Sequence, residues 1–466
     1  IVVTPNGYKA GELYAVVPSD GAADMDVTRA TAATRVDENG LVNYAEIVGG
    51  EEITDGSFPS GTTAWSDGTG VTLSVGKAEL LNTPTYSFSL QQVTGLTVGL
   101  TYLVSYEIDD YVSGQLRSRL GSNLGATISD DGVYEELITA QSNSLIFQTV
   151  GVSFTGSIKN VSVKEAARDN VPRIDYTGGG CPHILAEPQR TNEVTYSEDF
   201  TQWTSSVGMT VTLNDSTSPS GNLNATLLAT SNANDLIYTS VSTTIASTLS
   251  VYVKWKVGIG NIDLSSDGGY NYTSLPVTEG WTRISISPTT IANQIVLKIP
   301  TSGSELYIWG LQLEEGSYAT SYIPTSGSTV TRNQDIFTRD GIGSLINSTE
   351  GVLFVEMAAL TDDTSFRAMS ISDGTTSNRI TLVYNGGIRV FNVVGGSVSS
   401  NINYTTTITT TQKIAILWSS TSFKLWVNGV ERGVISGVSI ASNTLNKLSL
   451  DQGNGGNNMF AKVKQL

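Results

Sequence analysis

Apolar and polar residues alternate with a period of two along most of this chain, and the 3.6-residue spacing of an amphipathic helix is almost absent. A strand sends successive side chains to opposite faces, so this alternation confines the chain to sheets with one buried and one solvated face. Leu249, Val251, Val253, Trp255 and Val257 fall on one face, while Ser250, Tyr252, Lys254 and Lys256 fall on the other. The pattern recurs over residues 102–108, 306–313, 352–357, 414–418 and 423–427. Turn signals separate the runs: Asp267-Gly268-Gly269, Asp373-Gly374, Asn385-Gly386-Gly387 and Asn428-Gly429. Short strands punctuated every 8–12 residues or so predict an all-β chain of tandem β-sandwich or jelly-roll domains. At 466 residues the chain is long enough for three or four cores.

Composition then narrows the function classes. One Cys and one His exclude a disulfide framework and zinc sites built from Cys and His. They also leave His183 as the sole imidazole for any Ser/His/Asp chemistry. His183 and Cys181 lack a third ligand, so no metal is expected there. Against 43 acidic residues stand 26 scattered basic ones, a net charge of −17. Phosphate neutralisation needs clustered Lys and Arg, so no nucleic-acid partner is expected. The acidic balance favours solubility at high local copy number. No window approaches 18 consecutive apolar residues, so no membrane span is expected. Residue 1 is Ile, and no basic stretch leads into an apolar one, so the sequence is expected to be part of a longer or processed chain.

Two segments look like copies of one sandwich, at roughly 47–167 and 195–318. Asp55-Gly56-Ser57-Phe58 leads to Trp65, and Ser197-Glu198-Asp199-Phe200 leads to Trp203. About a hundred residues on, each closes with an alternating strand running into acidic residues, Ile158 to Glu165 and Ile308 to Glu315. Between them, residues 168–195 carry Pro172, Pro182, Pro188 and Gly178-Gly179-Gly180, which cannot form a central strand and read as a collar. The glycine run lacks the Lys and Ser/Thr of a phosphate-binding loop. Residues 319–344 read as a linker and 345–466 as a last sandwich whose closing strand is expected to be cut short.

Several motifs resemble those of tailed-phage virion proteins. Leu13-Tyr14-Ala15-Val16-Val17-Pro18 and Val27-Thr28-Arg29-Ala30-Thr31-Ala32-Ala33-Thr34-Arg35-Val36-Asp37 are similar to the N-terminal module of that group. So are Asn170-Val171-Pro172-Arg173-Ile174-Asp175-Tyr176 and Leu185-Ala186-Glu187-Pro188-Gln189-Arg190-Thr191-Asn192. The more specific signal is Glu187 to Asn192 followed by Tyr196-Ser197-Glu198-Asp199-Phe200 and Trp203. Ser317-Tyr318-Ala319-Thr320-Ser321-Tyr322-Ile323-Pro324-Thr325 matches the characteristic exit from the domain that follows. The resemblance implies that residues 1–46 and 168–195 form one virion-type module interrupted by an inserted jelly roll. It implies that both jelly rolls are carbohydrate-binding-module-like. Phe423-Lys424-Leu425-Trp426-Val427-Asn428-Gly429-Val430-Glu431 is similar to the strand–turn–strand of concanavalin A-like (laminin G-type) sandwiches.

Sugar rings present apolar C–H faces that pack on aromatic planes while polar groups take the hydroxyls. Tyr252, Lys254, Tyr270 and Tyr272 are the first candidates for such a site, the first two on the polar face of their strand and the others flanking a Gly-rich turn. Trp281 and Arg283 share a face opposite Ile284 and Ile286, and either join an exposed site or cover the sandwich edge. All six also read as plain surface or subunit contacts. Trp255, on the apolar face, reads as core. Glu107, Asp109, Asp110 and Tyr111 precede Arg117 and Arg119; a carboxylate pair serves glycoside hydrolysis, but adjacent residues on a strand point apart and a solvated loop fits equally. Asp362, Asp363, Asp373, Asn378, Asn454, Asn457 and Asn458 offer oxygen ligands for Ca²⁺ without a motif's spacing, and turn chemistry explains them as well. The combined expectation is a tail- or head-fibre protein at the virion surface, contacting other virion proteins and host-surface glycans. It is expected to be a homo-oligomer, a trimer by resemblance, with no cofactor and no catalysis. The rivals are a purely structural decoration or collar protein and a capsule depolymerase.

Overall fold

The computed structural model describes residues 7–9, 12–14, 25–242, 246–287 and 294–466; residues 15–18 of the first motif lie outside these. Apart from two 3-10 turns, Phe200–Gln202 and Gly343–Leu345, the described residues form strands and loops. The chain divides into two compact units, Glu46–Arg168, and Ile1–Ala45 with Asp169–Leu466.

The unit Glu46–Arg168 is organised by two long antiparallel strands, Thr101–Leu120 and Ser144–Ala167. Their register shifts between Asp109 and Ser113 and again before Gln115, where Asp110 and Gly114 have φ of +55° and +91°. Bulges of this kind bend a strand and sharpen its twist, so one strand pair serves both walls of the core. Tyr106, Ile108, Leu116, Phe147, Phe154 and Ile158 fill it. Phe58 packs on Trp65 with ring centroids 5.3 Å apart, and the indole N–H donates to the Asp55 carbonyl at 3.1 Å.

Within the larger unit, residues 204–315 form a sandwich of two five-stranded sheets. One runs Thr204–Ser205, Asp235–Ser240, Gln294–Ile299, Asn261–Ser265, Thr273–Pro276; the other runs Met209–Thr217, Leu223–Thr230, Glu305–Glu315, Ser247–Val257, Thr282–Ile286. Leu249, Val251, Val253 and Trp255 sit in its core, as the alternation predicts. Phe200 and Trp203 repeat the device of the other sandwich, 5.2 Å apart, with the indole N–H donating to the Tyr196 carbonyl at 3.0 Å.

A third sandwich pairs a nine-stranded with a seven-stranded sheet. Five strands of each come from residues 345–466. The first sheet is extended by Gly7–Lys9, Glu12–Tyr14, Met25–Thr28 and Ile336–Arg339, the second by Ile174–Asp175 and His183–Ala186. The pieces 1–46 and 168–195 are therefore not a separate module: Met25, Val27, Ile174, Ile184 and Ala186 share one core with Met357, Leu382 and Ile416. The physical reason is that an edge strand pairs with whichever chain segment offers complementary backbone and an apolar face, however distant in sequence. Nor is 319–344 a linker, since Tyr322, Ile323, Arg332 and Phe337 are at most 3% exposed. The closing strand Ala461–Gln465 lies inside its sheet, between His183–Ala186 and Gly351–Ala359. At Asn428-Gly429 both residues have positive φ, +52° and +80°, and Val427 pairs with Val430, as a tight hairpin requires.

Where these segments meet, five charged side chains are buried together. Asp335 accepts from Arg29 Nη1 at 2.8 Å and from Arg173 Nη2. Glu187 Oε2 accepts from Arg173 Nη1 at 2.6 Å and forms an ion pair with Arg332 Nη1 at 2.9 Å. The backbone N–H groups of Glu187 and Ser321 donate to Asp335 and Glu187 respectively, each at 2.9 Å. Burial opposes ionisation of both acids, but Arg173 and its neighbours outweigh it and hold both carboxyls below the usual range. Breaking one partner out of such a group leaves an uncompensated buried charge, which typically costs about 3–5 kcal/mol. Asp335→Ala is expected to destabilise the larger unit by about that amount, read as a lowered denaturation midpoint. A shift under about 1 kcal/mol, the worth of an exposed pair, would show the charges to be solvated.

Candidate functional site

Strict alternation along Glu305–Glu315 would put Trp309 on the same face as Leu311 and Leu313. It does not happen. Ser250 pairs with Gln312 but Tyr252 pairs with Trp309, so a bulge sits between them, with Gly310 at φ +62°. A Cβ on Gly310 would lie 3.3 Å from the Tyr252 ring and 3.4 Å from that of Tyr322. The bulge keeps Leu306, Ile308, Leu311 and Leu313 in the sandwich core and turns Trp309 out to the opposite face. There it joins Tyr322, Val42, Ala225, Tyr252 and Trp281 in a small aromatic cluster, with Trp309 centred 4.6 Å from Tyr322 and 5.4 Å from Tyr252.

Four of the six candidate residues meet on this face. Tyr252 lies directly across from Arg283 in the neighbouring strand, whose guanidinium carbon is 5.3 Å from the centre of its ring. Arg283 Nη1 donates to the Thr320 carbonyl at 2.6 Å and Nη2 to Ser250 Oγ at 2.9 Å. The Trp281 indole N–H donates to the Thr217 carbonyl at 3.0 Å, tying together strands at opposite edges of the sheet. Lys254 Nζ stands 4.9 Å from the Trp281 ring centre and 5.0 Å from that of Tyr307. Tyr252, Trp281 and Arg283 line a cleft of about 560 Å³. Its other walls are Thr34–Val36 and Leu41 of the 34–44 hairpin, Ser218 and Pro219, the 318–322 exit segment, Asp175, Glu187 and Lys462. The hairpin is held to the sandwich by Val42 N–H donating to the Pro219 carbonyl at 2.9 Å.

The remaining candidates lie elsewhere. Tyr270 and Tyr272 belong to the turn before Thr273–Pro276, in the other five-stranded sheet. Tyr270 is 86% exposed, and Lys298 Nζ is 3.9 Å from the Tyr272 ring centre. Asp109 pairs with Lys159 and Asp110 with Lys77, while Glu107 accepts from Asn160 Nδ2 at 2.7 Å; the neighbouring carboxylates point to different partners. Asp373 caps its own turn, accepting from Thr375 and Asn378, and Asp363 accepts from Arg367 at 2.6 Å. Asn458 Nδ2 donates to Gln334 instead. Among the described residues no three His, Cys, Asp or Glu side chains converge as a metal site. Burial pushes the His183 imidazole down to about 4 despite Asp175, whose Oδ1 is 3.3 Å from its Nε2.

Sequence reasoning passed over Glu198, Trp309, Tyr318, Tyr322, Arg35 and Lys462. Four signals were present, since Arg35, Glu198, Tyr318 and Tyr322 lie in the motifs singled out above. Glu198 sits behind the aromatic cluster, accepting from Tyr322 Oη and Asn224 Nδ2, each at 2.9 Å. Burial raises its carboxyl above the usual range, and these hydrogen bonds offset the rise only in part.

No protein-family model matches the chain, and no curated protein matches it. Among solved structures it is similar to the N-terminal CBM22-1–CBM22-2 tandem domain of Xyn10C from Paenibacillus barcinonensis. The identity is 11%, the match covers 58% of this chain and 98% of that one, and the TM-score is 0.22. At that score the likeness carries no argument, and the all-β sandwich fold stands on the strands and cores described above.

A carboxyl whose pKa is raised by folding favours the native state most below its unfolded value and loses that contribution as pH rises through the folded one. Glu198→Gln removes the titration while keeping an acceptor for Tyr322, and the Asn224 Oδ1, which has no partner, can turn to accept from the new amide. The stability of the variant relative to the native chain is expected to rise between about pH 4 and pH 7. Parallel curves from urea denaturation across that range would place Glu198 in water.

Proposed function

We propose that this chain is a structural protein of a phage particle, a tail- or head-fibre component at the particle surface, that adsorbs weakly to host-surface glycans without catalysis. The observation that carries the glycan reading is the cleft of Tyr252, Trp281 and Arg283. Its volume of about 560 Å³ falls within the roughly 300–1,000 Å³ of small-molecule sites. Its walls combine aromatic surface for sugar C–H faces with hydroxyl, carbonyl and guanidinium groups for sugar hydroxyls. The virion setting, with other virion proteins as partners, rests on the resemblance of the quoted motifs, as does the concanavalin A-like reading of the last sandwich. A low share of charged residues, 15%, with Ser- and Thr-rich strand faces supports self-association, and a trimer is the proposed assembly.

Tyr252 and Trp281 are already approached by Arg283 and Lys254, so a sugar gains a shallow contact rather than a free stacking platform. A Kd on the order of 0.1–1 mM per site follows, about −4 to −5.5 kcal/mol. Several copies on one particle raise avidity by roughly 10²–10⁴. Assembled protein on an array of host-surface polysaccharides is expected to bind, with Trp281→Ala weakening binding about tenfold, near 1.4 kcal/mol, when measured well below the variant's own melting temperature. Newly formed reducing ends in a parallel assay would make it a depolymerase. No binding by the intact multimer would leave the purely structural role.

A further inference from the structure

The cleft is unusual in where its charges are spent. In a chain with 17 more acidic than basic residues, the two carboxylates lining it are already satisfied, and the three cations lining it are not. Asp175 accepts from the backbone N–H groups of Val36 and Thr177, at 2.8 and 2.9 Å, and Glu187 is held by Arg173 and Arg332. Glu187 is thereby paired with two cations, while Asp175 keeps its charge, so the cleft lining carries three cations against one carboxylate without a guanidinium or ammonium partner.

Arg283 spends two of the five N–H groups of a guanidinium on uncharged acceptors, Thr320 O and Ser250 Oγ. Its buried Nε has no hydrogen-bond partner, and the side chain forms no ion pair among the described residues. Arg35 donates Nη1 to the Ile174 carbonyl at 2.9 Å. Its Nε is likewise buried without a partner, and the nearby Glu38 carboxylate, 3.9 Å away, is 63% exposed. Lys462 makes no ion pair or side-chain hydrogen bond among the described residues. An unpaired Nε is shared with Arg119, Arg173, Arg190 and Arg332; what sets the cleft apart is that its three lining cations have no buried carboxylate partner among the described residues. Arginine presents paired donors that match a carboxylate bidentately.

Resting on the glycan reading above, we propose that the cleft takes an acidic glycan, one whose sugar carries a carboxylate, as uronic and sialic acids do. Arg283, Arg35 and Lys462 supply the positive lining for that carboxylate, and Tyr252 and Trp281 the apolar wall for the ring that bears it. The net charge of −17 repels polyanions in general, so the preference is for a short acidic unit that enters the cleft.

The test compares pairs that differ in the carboxylate. Sialyllactose is set against lactose, and digalacturonate against its methyl ester, each titrated into the full chain by calorimetry. The acidic member of each pair is expected to bind at least about tenfold more tightly at roughly 50 mM salt, the gap narrowing at roughly 0.5 M. Lys462→Gln, a change at a partly exposed side chain without partners, is expected to abolish the preference while lactose binding changes less than about threefold. Arg283 also faces sugar hydroxyls, so Arg283→Gln is expected to weaken the acidic member of each pair at least about threefold more than the neutral one. Equal binding within each pair would overturn the acidic assignment and leave the glycan reading standing. No binding of any sugar would overturn both. Inorganic phosphate displacing digalacturonate at equal concentration would show a bare anion site and overturn the sugar assignment.

Discussion

The larger unit depends on a group of charges that has no access to water. Arg29, Arg173, Arg332, Glu187 and Asp335 are drawn from the N-terminal piece, the collar and the 319–344 stretch, and every one is at most 4% exposed. Taking these ions out of water is costly, and their mutual attraction offsets the cost only when geometry and remaining hydrogen bonds are complete. A well-packed apolar substitute can be as stable. What an apolar cluster lacks is discrimination: hydrophobic faces keep their parity through a two-residue slip, whereas here each guanidinium finds its carboxylate only when all three segments are in register. The charged residues Arg29, Arg173 and Glu187 of the recognisable motifs are thus scaffold residues. Arg173 and Glu187, prominent in two of them, touch no open surface of consequence except through the back wall of the cleft.

Much of the fold was legible because sheet alternation is a local property. The inward parity of Leu249 to Trp255, the Phe–Trp pairs and the Asn428-Gly429 hairpin all follow from residues a few positions apart. Strand partnership is not local. Nothing near Met25–Thr28 announces that Ile336–Arg339 will lie beside it, because backbone hydrogen bonding is nearly indifferent to sequence and the deciding apolar contacts are shared among many segments. The bulge at Gly310 was also invisible, since alternation counts residues and a bulge adds one. That single residue decides whether Trp309 belongs to the sandwich core or to the aromatic cluster on the opposite face.

The candidate site was legible by composition and not by assembly. Parity placed Tyr252, Lys254, Trp281 and Arg283 outward correctly, and the pairing of Ser247–Val257 with Thr282–Ile286 brought them together. Tyr270 and Tyr272 share their residue type but sit on the other sheet, a separation that a turn signal cannot report. The walls contributed by Arg35, Tyr318 and Lys462 come from segments more than a hundred residues apart in sequence, joined only by the tertiary fold. Cations beside aromatic rings changed the chemistry too: a stacking platform read from residue types became a wall with guanidinium groups directed across it.

The neighbouring of early and late strands sets a timetable for synthesis. Arg29 meets Asp335 across 306 residues, and His183–Ala186 pairs with a strand ending at Gln465. At about 5–20 residues per second a ribosome needs roughly 15–60 s to make the intervening chain. Throughout that interval the apolar faces of Met25–Thr28 and His183–Ala186 remain without their sheets, while Glu46–Arg168, whose core is its own, can complete itself on emergence. Loop closure over such distances is slow even for a released chain. A nascent chain of this design is therefore exposed to its sister chains for that whole interval with unpaired strand edges, and the net negative charge that sets such chains apart acts first as a folding aid.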